Sequence, residues 1–443
     1  MNVSVSGIPL KKPLSLRYLS NPVVSKFGVG FLLPQAALCR HNMMAMNLRR
    51  YHIRDDYLIE LVVLMLMATG TVFVFSAGAT VTGQYDWKRF YDFTVLKQIL
   101  FFPVAAGLMY VFSFLDYRRF SFQNGFMRSL TTWLVVLSLS LLVVVLVFGV
   151  ERNFSRRWLD LAPGPAYVSF QPSELAKWTV LIFLAAFMSR SQVQPRGFTR
   201  FFLTASVVPA LAVGLIISED FGTAAFIALL AFLMLWLGEA VWWHFLVPLP
   251  VVLPGFIAAV LISPTRINRI KDFLNPDVIS YQAHQSLLAI SSGQWFGRGL
   301  GRGVLKYGHL PEDTSDFIFS IICEELGFAG AVLVILLFVV FLILGLRVAL
   351  RCTDPFARLL AAGIVLAIVL QAVINIGVVT VVLPTKGIPL PLISAGGTSM
   401  LLTAAAVGIL LNIARQASGG VDADNMNIFA RPCRVRRYDD LSC

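Results

Sequence analysis

Charge, histidine and paired cysteine are all scarce in this chain. Only 14% of its 443 residues are Asp, Glu, Lys or Arg, against about a quarter in an ordinary soluble domain. Five cysteines (Cys39, Cys323, Cys352, Cys433 and Cys443) form no C-x-x-C pair and have no histidine at zinc spacing, which argues against a disulfide framework and a structural zinc site. Strict apolar/polar alternation is missing as well, so a transmembrane β-barrel is excluded. What remains is apolar: 57% of residues are hydrophobic, and the mean hydropathy is +0.77. Apolar runs of about 20 residues recur along most of the chain, the length of a membrane-crossing helix. In lipid the backbone must satisfy its own hydrogen bonds, so the expected fold is an all-α polytopic integral membrane protein.

Ten spans are expected, near Tyr57–Ala77, Leu96–Leu115, Leu130–Val150, Ser173–Met188, Phe201–Ile217, Gly222–Leu237, Trp242–Ile262, Phe317–Leu346, Ala357–Val382 and Ser394–Ile413. Basic clusters at Lys11 to Arg54, Arg118-Arg119, Arg190 to Arg200, Arg347 to Arg358 and Arg431 to Arg437 fall on one side if both termini are cytoplasmic. The formal charge of +12 then belongs to loops beside anionic lipid, with no nucleic acid as partner. Residues 1–56 read as a cytoplasmic N-terminal extension, 57–415 as the membrane domain, and 416–443 as a cytoplasmic tail in which the polar linker QASGGVDADNMN leads to a basic end. Met43, Met44 and Met46 stand just before the basic flank of the first span, where translation is expected to begin.

Two loops on the outer side break the positive-inside pattern. One holds Arg152, Arg156 and Arg157; the other, the large loop between spans seven and eight, holds Arg266, Arg269, Lys271, Arg298, Arg302 and Lys306. Long loops cross regardless of charge, so the longer one is open to either reading. The short Arg156-Arg157-Trp158 cluster points to an anionic partner. Guanidinium groups grip phosphate bidentately, and an indole suits the headgroup level. The same loop enters the fourth span through Gln171-Pro172-Ser173-Glu174, with Pro172 fitting a helix's first turn. Glu174 and Lys177, three apart and hence on one face, form either a structural ion pair or a polar floor under the arginines. A further oddity is LPEDTSDFIFSIICEELG, Leu310 to Gly327, where five of eighteen residues are acidic.

Taken in order, RRWLDL, FQPSELAK, EDFGTA, FLNPD, YQAHQSLLAISSGQWFGRGLG, LPEDTSDFIFSIICEELG and NIGVVTVVLPTKGIPLPLISAGGTS resemble one family from about residue 57 to 415. That family is the SEDS proteins, the FtsW and RodA group of peptidoglycan glycosyltransferases. Pro384-Thr385-Lys386-Gly387 looks more like the division branch, FtsW, than the elongation branch, RodA. Departures are Thr314 for His and Ser315 for Thr beside Asp316, Glu219 for Pro, Phe154-Ser155 for Gly-Ala, and Ala395 for Tyr. The resemblance implies polymerisation of lipid II, the undecaprenyl-pyrophosphoryl disaccharide-pentapeptide, on the outer face of the bacterial cytoplasmic membrane. It implies Asp316 as the loop acid that matters most, and a site including Arg157, Lys386, Ser394, Gly396 and Gly397. It implies as partners a class B penicillin-binding transpeptidase and other membrane proteins of the division complex at the septum.

The chemistry asks for such residues. An α-linked lipid diphosphate becomes a β-1,4 link by one in-line displacement, so one general base suffices. The diphosphate leaves unprotonated, so the acid of glycoside hydrolysis is not demanded. Positive charge or a divalent cation (Mg2+ or Mn2+) is demanded where the leaving group's charge develops. Asp316 fits the base; Arg157 with Lys177, Lys386 or the loop arginines fits the second role. Thr314 or Ser315 is expected to cap the eighth span, placing Asp316 in its first turn. Glu324, about 80° round such a helix from Asp316, is open to a divalent cation or a cavity, while Glu325 is expected to meet the bundle. Glu312 and Asp313 read as solvated. Gln285-Ser286 and Gly293, Gly297, Gly299, Gly301 and Gly303 suggest a flexible or closely approaching loop over the headgroup. The alternatives are a lipid II flippase, an elongation-type polymerase, and a scaffold that activates a partner.

Overall fold

The computed structural model describes residues 54–78, 93–152, 155–160, 169–190, 197–274, 281–303, 315–384 and 386–429, all within one compact unit, Ile53–Cys443. Thirteen α-helices occur among the described residues: α1 Asp55–Gly78, α2 Phe93–Phe114, α3 Leu130–Phe148, α4 Pro172–Met188, α5 Thr204–Ile216, α6 Phe221–Leu237, α7 Trp242–Leu246, α8 Leu249–Leu261, α9 Pro264–Leu274, α10 Tyr281–Ser292, α11 Ile318–Arg351, α12 Pro355–Val379 and α13 Gly397–Phe429. A π-helical turn, Phe198–Leu203, leads into α5. Between α3 and α4 a small antiparallel sheet is built from β1 Val150–Arg152, β2 Ser155–Asp160 and β3 Ser169–Phe170.

Among the described residues six helical stretches are long and apolar enough to cross a membrane, or up to seven if the bent pair Leu249–Leu261 and Arg266–Leu274 is one span. Gln98–Phe114 and Phe221–Leu237 are shorter apolar helices. The seventh expected span is interrupted after Leu246. Pro248 and Pro250 lack the N–H that a continuous ladder would need there.

The bundle is organised around α4, in which fifteen of seventeen residues are buried. Such a helix has no solvent or lipid face, so its polar side chains must find partners inside the protein. By contrast α8 buries none of its residues. Helix α2 lies against α13, α12 against α11, and α1 against both α11 and α2. At the end that carries the α1 N-terminus, ion pairs join Asp55 to Arg351 and Asp56 to Arg54 and Arg415, linking α1 to α11 and α13.

Three local expectations change. Asp316 is not in the first turn of α11, because Phe317 (φ −110°, ψ 17°) is outside the helical region and the helix opens at Ile318. The residue at its N-cap position is Phe317, which makes no side-chain cap; Thr314, like Glu312 and Asp313, lies outside the described residues. Helix α11 is also broken at Gly327, whose φ of 69° and ψ of −162° suit glycine alone. Finally, α13 continues to Phe429 in place of a linker after Arg415. No proline stands between Pro391 and Pro432 to stop its ladder.

The break in α11 is filled by backbone. Arg298 and Gly299 N–H groups donate to the carbonyls of Glu324 and Glu325 at 3.0 Å each, and the Phe328 and Ala329 N–H groups donate to Gln294 (2.8 Å) and Trp295 (3.1 Å). The glycine-rich run after α10 is therefore a strap seated in the helix, which satisfies groups that a broken membrane helix would leave orphaned.

Candidate active site

The sheet presents the arginine pair. Glu151 faces Arg156 and Val150 faces Trp158 across the hairpin, while Leu159 pairs with Phe170 at the entry to α4. The Arg156 amide donates to Glu219 Oε2 at 2.8 Å, fixing β2 to the turn before α6. The Arg157 guanidinium lies 3.4 Å from Asp220 Oδ2. Asp220 is the N-cap of α6, accepting from the Thr223 amide at 3.1 Å and its hydroxyl at 2.8 Å, so a rigid helix end holds it in place. A narrow cleft lies here, lined by Arg156, Arg157, Ser173, Glu219 and Asp220 and by apolar side chains of α3 and α5.

On the other side of Asp220 lies Lys386, in the connection between α12 and α13. Its Nζ stands 4.5 Å from the centre of the Phe221 ring. A Cβ added to Gly222 would come within 2.5 Å of Lys386 Cε and 3.2 Å of Asp220 Oδ1, so the missing side chain makes the room that Lys386 occupies. Burial pushes the Lys386 ammonium down to about 8; Asp220 opposes the shift, and Arg269 and Arg266 add to it. Arg266 also stacks on Phe221, 5.1 Å from the ring centre, and donates to the carbonyls of Ala259, Ile217 and Ser218.

Next in the chain, Gly387 receives Asp316. A Cβ on Gly387 would lie 2.5 Å from Asp316 Oδ2. The carboxylate of the loop acid thus sits directly on the residue after Lys386.

Beneath this layer is a buried polar framework. Lys177 Nζ donates to Glu174 Oε2 at 2.8 Å and to Gln371 Oε1 at 2.9 Å. Gln371 in turn donates to the Pro389 carbonyl at 2.8 Å. One turn along α12, Asn375 Nδ2 donates to the carbonyls of Ile388 and Asp316, both at 2.8 Å. Lys177 is 1% exposed and Glu174 6%. Of the two readings open for this pair it is the internal one that the geometry fits, since the pair holds up the loop of Lys386 and Gly387.

The other expected site residues are dispersed. Gln171 is the extended residue before α4, and Gln285 is half-buried on α10. Ser286 is fully buried, 2.7 Å from both Ser320 Oγ and the Val379 carbonyl, a tie between helices. Ser394 is buried and accepts from the Leu390 amide at 2.7 Å. Gly396 and Gly397 open α13, where a Cβ on Gly397 would meet the Phe101 ring at 2.8 Å. Glu324 and Glu325 are fully buried. Glu325 accepts from Ser76 Oγ, meeting the bundle as expected, and Glu324 is 3.8 Å from Arg298. Among the described residues no three His, Cys, Asp or Glu side chains converge on a metal position.

Asp220, Gln371 and Asn375 were not anticipated as site residues. Their signals were present: Asp-Phe-Gly-Thr is an N-cap pattern, and two amides four apart in apolar α12 mark inter-segment hydrogen bonding.

A carboxylate, a lysine and guanidinium groups thus gather beside a cleft with apolar walls, an arrangement chemically able to meet an anionic group. The chain belongs to the FtsW/RodA/SpoVE family of cell cycle proteins, whose family model matches residues 56–419. It is 38% identical over 367 residues to stage V sporulation protein E of Bacillus subtilis, covering 81% of this chain and 97% of that protein. It is 35% identical over 367 residues to a probable peptidoglycan glycosyltransferase FtsW of Coxiella burnetii, covering 81% and 96%. Among solved structures it is similar to a chain described under the structural coordination of polymerization and crosslinking by a peptidoglycan synthase complex, with a TM-score of 0.65, 26% identity and coverage of 83% and 99%. The rod shape determining protein RodA of Thermus thermophilus matches with a TM-score of 0.58 at 26% identity, covering 83% and 99%.

Proposed function

We propose that this protein is a peptidoglycan glycosyltransferase of the division type that polymerises lipid II, with Asp316 as general base. The observation that carries the reading is the seat of the Asp316 carboxylate on Gly387, beside Lys386 and the Arg157–Asp220 pair. In the step, the acceptor sugar's hydroxyl oxygen attacks the anomeric carbon of the donor. Its proton passes to Asp316, the new carbon–oxygen bond forms, and the bond to the lipid diphosphate breaks. Lys386 and Arg157 face the charge that collects on the departing diphosphate, where fixed positive groups lower the barrier most. Arg156 and the cleft between α3 and α5 suit the lipid-linked end of a substrate.

Both termini face the cytoplasm, the sheet and Asp316 face outward, and the protein acts in the bacterial inner membrane at the septum. Lipid II is its substrate, and a class B penicillin-binding transpeptidase is its partner, together with other division-complex membrane proteins. In this reading residues 57–415 form the membrane domain, with 1–56 and 416–443 as its cytoplasmic flanks. The test is polymerisation of purified lipid II by the full chain with its partner present. Asp316→Ala is expected to abolish glycan polymer while leaving the protein folded, and near-normal polymer would overturn the reading. A flippase would instead move labelled lipid II across proteoliposomes and yield no polymer.

A further inference from the structure

The Asn375 side chain is 1% exposed in the middle of an apolar helix, and its one amide group spends both hydrogens on the main chain. One goes to the carbonyl of Asp316 and the other to the carbonyl of Ile388, each at 2.8 Å. Carbonyls only accept, so the NH2 end of the amide must face them, and the orientation is fixed by its neighbours. The two carbonyls belong to segments 72 residues apart in sequence that share no ladder: the turn before α11 and the Lys386 to Pro389 loop. Across that same junction the Asp316 carboxylate meets Gly387, where a Cβ would lie 2.5 Å from Oδ2. Neither segment is regular structure. Asn375 spans the two from a helix whose position α11 and α4 fix by packing.

We infer that Asn375 is the positioning residue for the base: it clamps the Asp316 main chain to the Ile388 carbonyl and so places the Asp316 carboxylate over Gly387 beside Lys386. The inference rests on Asp316 being the base. Asn375 itself touches main chain and no reacting atom, so its loss should lower turnover without weakening lipid II binding. A misplacement of about 1 Å at a reacting group costs on the order of 10²-fold in rate, and that is the loss expected here.

The experiment uses the full chain with its partner and measures kcat for polymer formation, binding of labelled lipid II, and thermal melting. Asn375→Leu keeps the side chain's approximate volume in apolar surroundings and removes both donors. It should lower kcat about 10²-fold with lipid II binding unchanged within about twofold. Combined with Gly387→Ala, which displaces the same carboxylate, it should be little slower than the slower single variant, because interactions that act through one group are not additive. In an Asp316→Ala background it should change nothing further. A folded Asn375→Leu protein with near-normal kcat, a loss confined to lipid II binding, or additive losses with Gly387→Ala would each overturn the inference. Should Asn375→Leu not fold, Asn375→Ser carries the same measurement, and full turnover there has the same force. If Asp316→Ala itself makes polymer, the base assignment fails; if Asp316→Ala is dead while Asn375→Leu is normal, only the role of Asn375 fails.

Discussion

Gly387→Ala separates catalysis from stability within one methyl group. The added Cβ would stand 2.5 Å from Asp316 Oδ2, whereas ordinary contact begins at 3.4 Å, so the carboxylate must retreat by the difference, about 0.9 Å. The atom that must move is the end of a side chain and not backbone. Gly387 is not among the glycines with positive φ, so alanine meets no backbone strain, and it removes unfolded-state freedom worth about 0.4–1 kcal/mol. The melting temperature should therefore hold or rise slightly. The rate should not: a displacement of about 1 Å at the proton-accepting oxygen costs on the order of 10²-fold, or about 2.7 kcal/mol of transition-state stabilisation. Single-turnover polymerisation of labelled lipid II, read on a product gel beside a melting curve in detergent, supplies both quantities. A variant that melts normally and polymerises at the wild-type rate would refute the claim that the seat of Asp316 on Gly387 matters to the reaction. A variant that loses stability in proportion to its rate would refute the claim that the contact is catalytic in effect.

Lys386 supplies a pH dependence. Its ammonium is held down to about 8 in the folded protein, against 10.4 unperturbed, so the cation is lost as pH rises through about 8. The kcat for polymer formation should fall on that limb, and Lys386→Arg, which stays charged, should push the limb to higher pH. Between about 8 and 10.4 the unfolded chain binds the extra proton, so this group's contribution to folding stability rises with pH across that window. Lys177→Met leaves Glu174 buried without its cation and should cost about 3–5 kcal/mol, with most of it recovered by adding Glu174→Gln; melting curves of the single and double variants decide. Gly327→Ala forces a side chain to within 2.4 Å of the Gly297 amide nitrogen at a φ of 69°. It should cost upwards of about 1–3 kcal/mol and speed hydrogen exchange at the Arg298, Gly299, Phe328 and Ala329 amides, whose unchanged protection would contradict the strap.

Which parts of this arrangement could be read in the chain follows from the range of the forces involved. Apolar runs report the helices because lipid acts on every residue of a span alike. Arg156 and Arg157 stood out because translocated arginine is costly to retain, and the Glu174–Lys177 pair because i,i+3 neighbours meet on any helix. The same spacing could not say what lay above the pair, and Gln371 and the Pro389 carbonyl arrive from α12 and the connection after it, some two hundred residues later. Asp316 was legible as chemistry, and its setting was not. A helical first turn was the local expectation, yet its position comes from Asn375 and Gly387 across the bundle. The break at Gly327 is the extreme case. The stretch IICEELGFAGAVLV reads as unbroken helix, with one glycine and no proline at the break. What opens it is a strap held by backbone hydrogen bonds on both sides. Main-chain recognition of main chain leaves no side-chain identity to read, only the demand that something small stand at each close approach. Gly293, Gly297 and Gly327 meet that demand, each with a neighbouring backbone atom within 2.4 Å of where a Cβ would be; Gly293 and Gly297 stood out in the sequence, while the contact they permit did not.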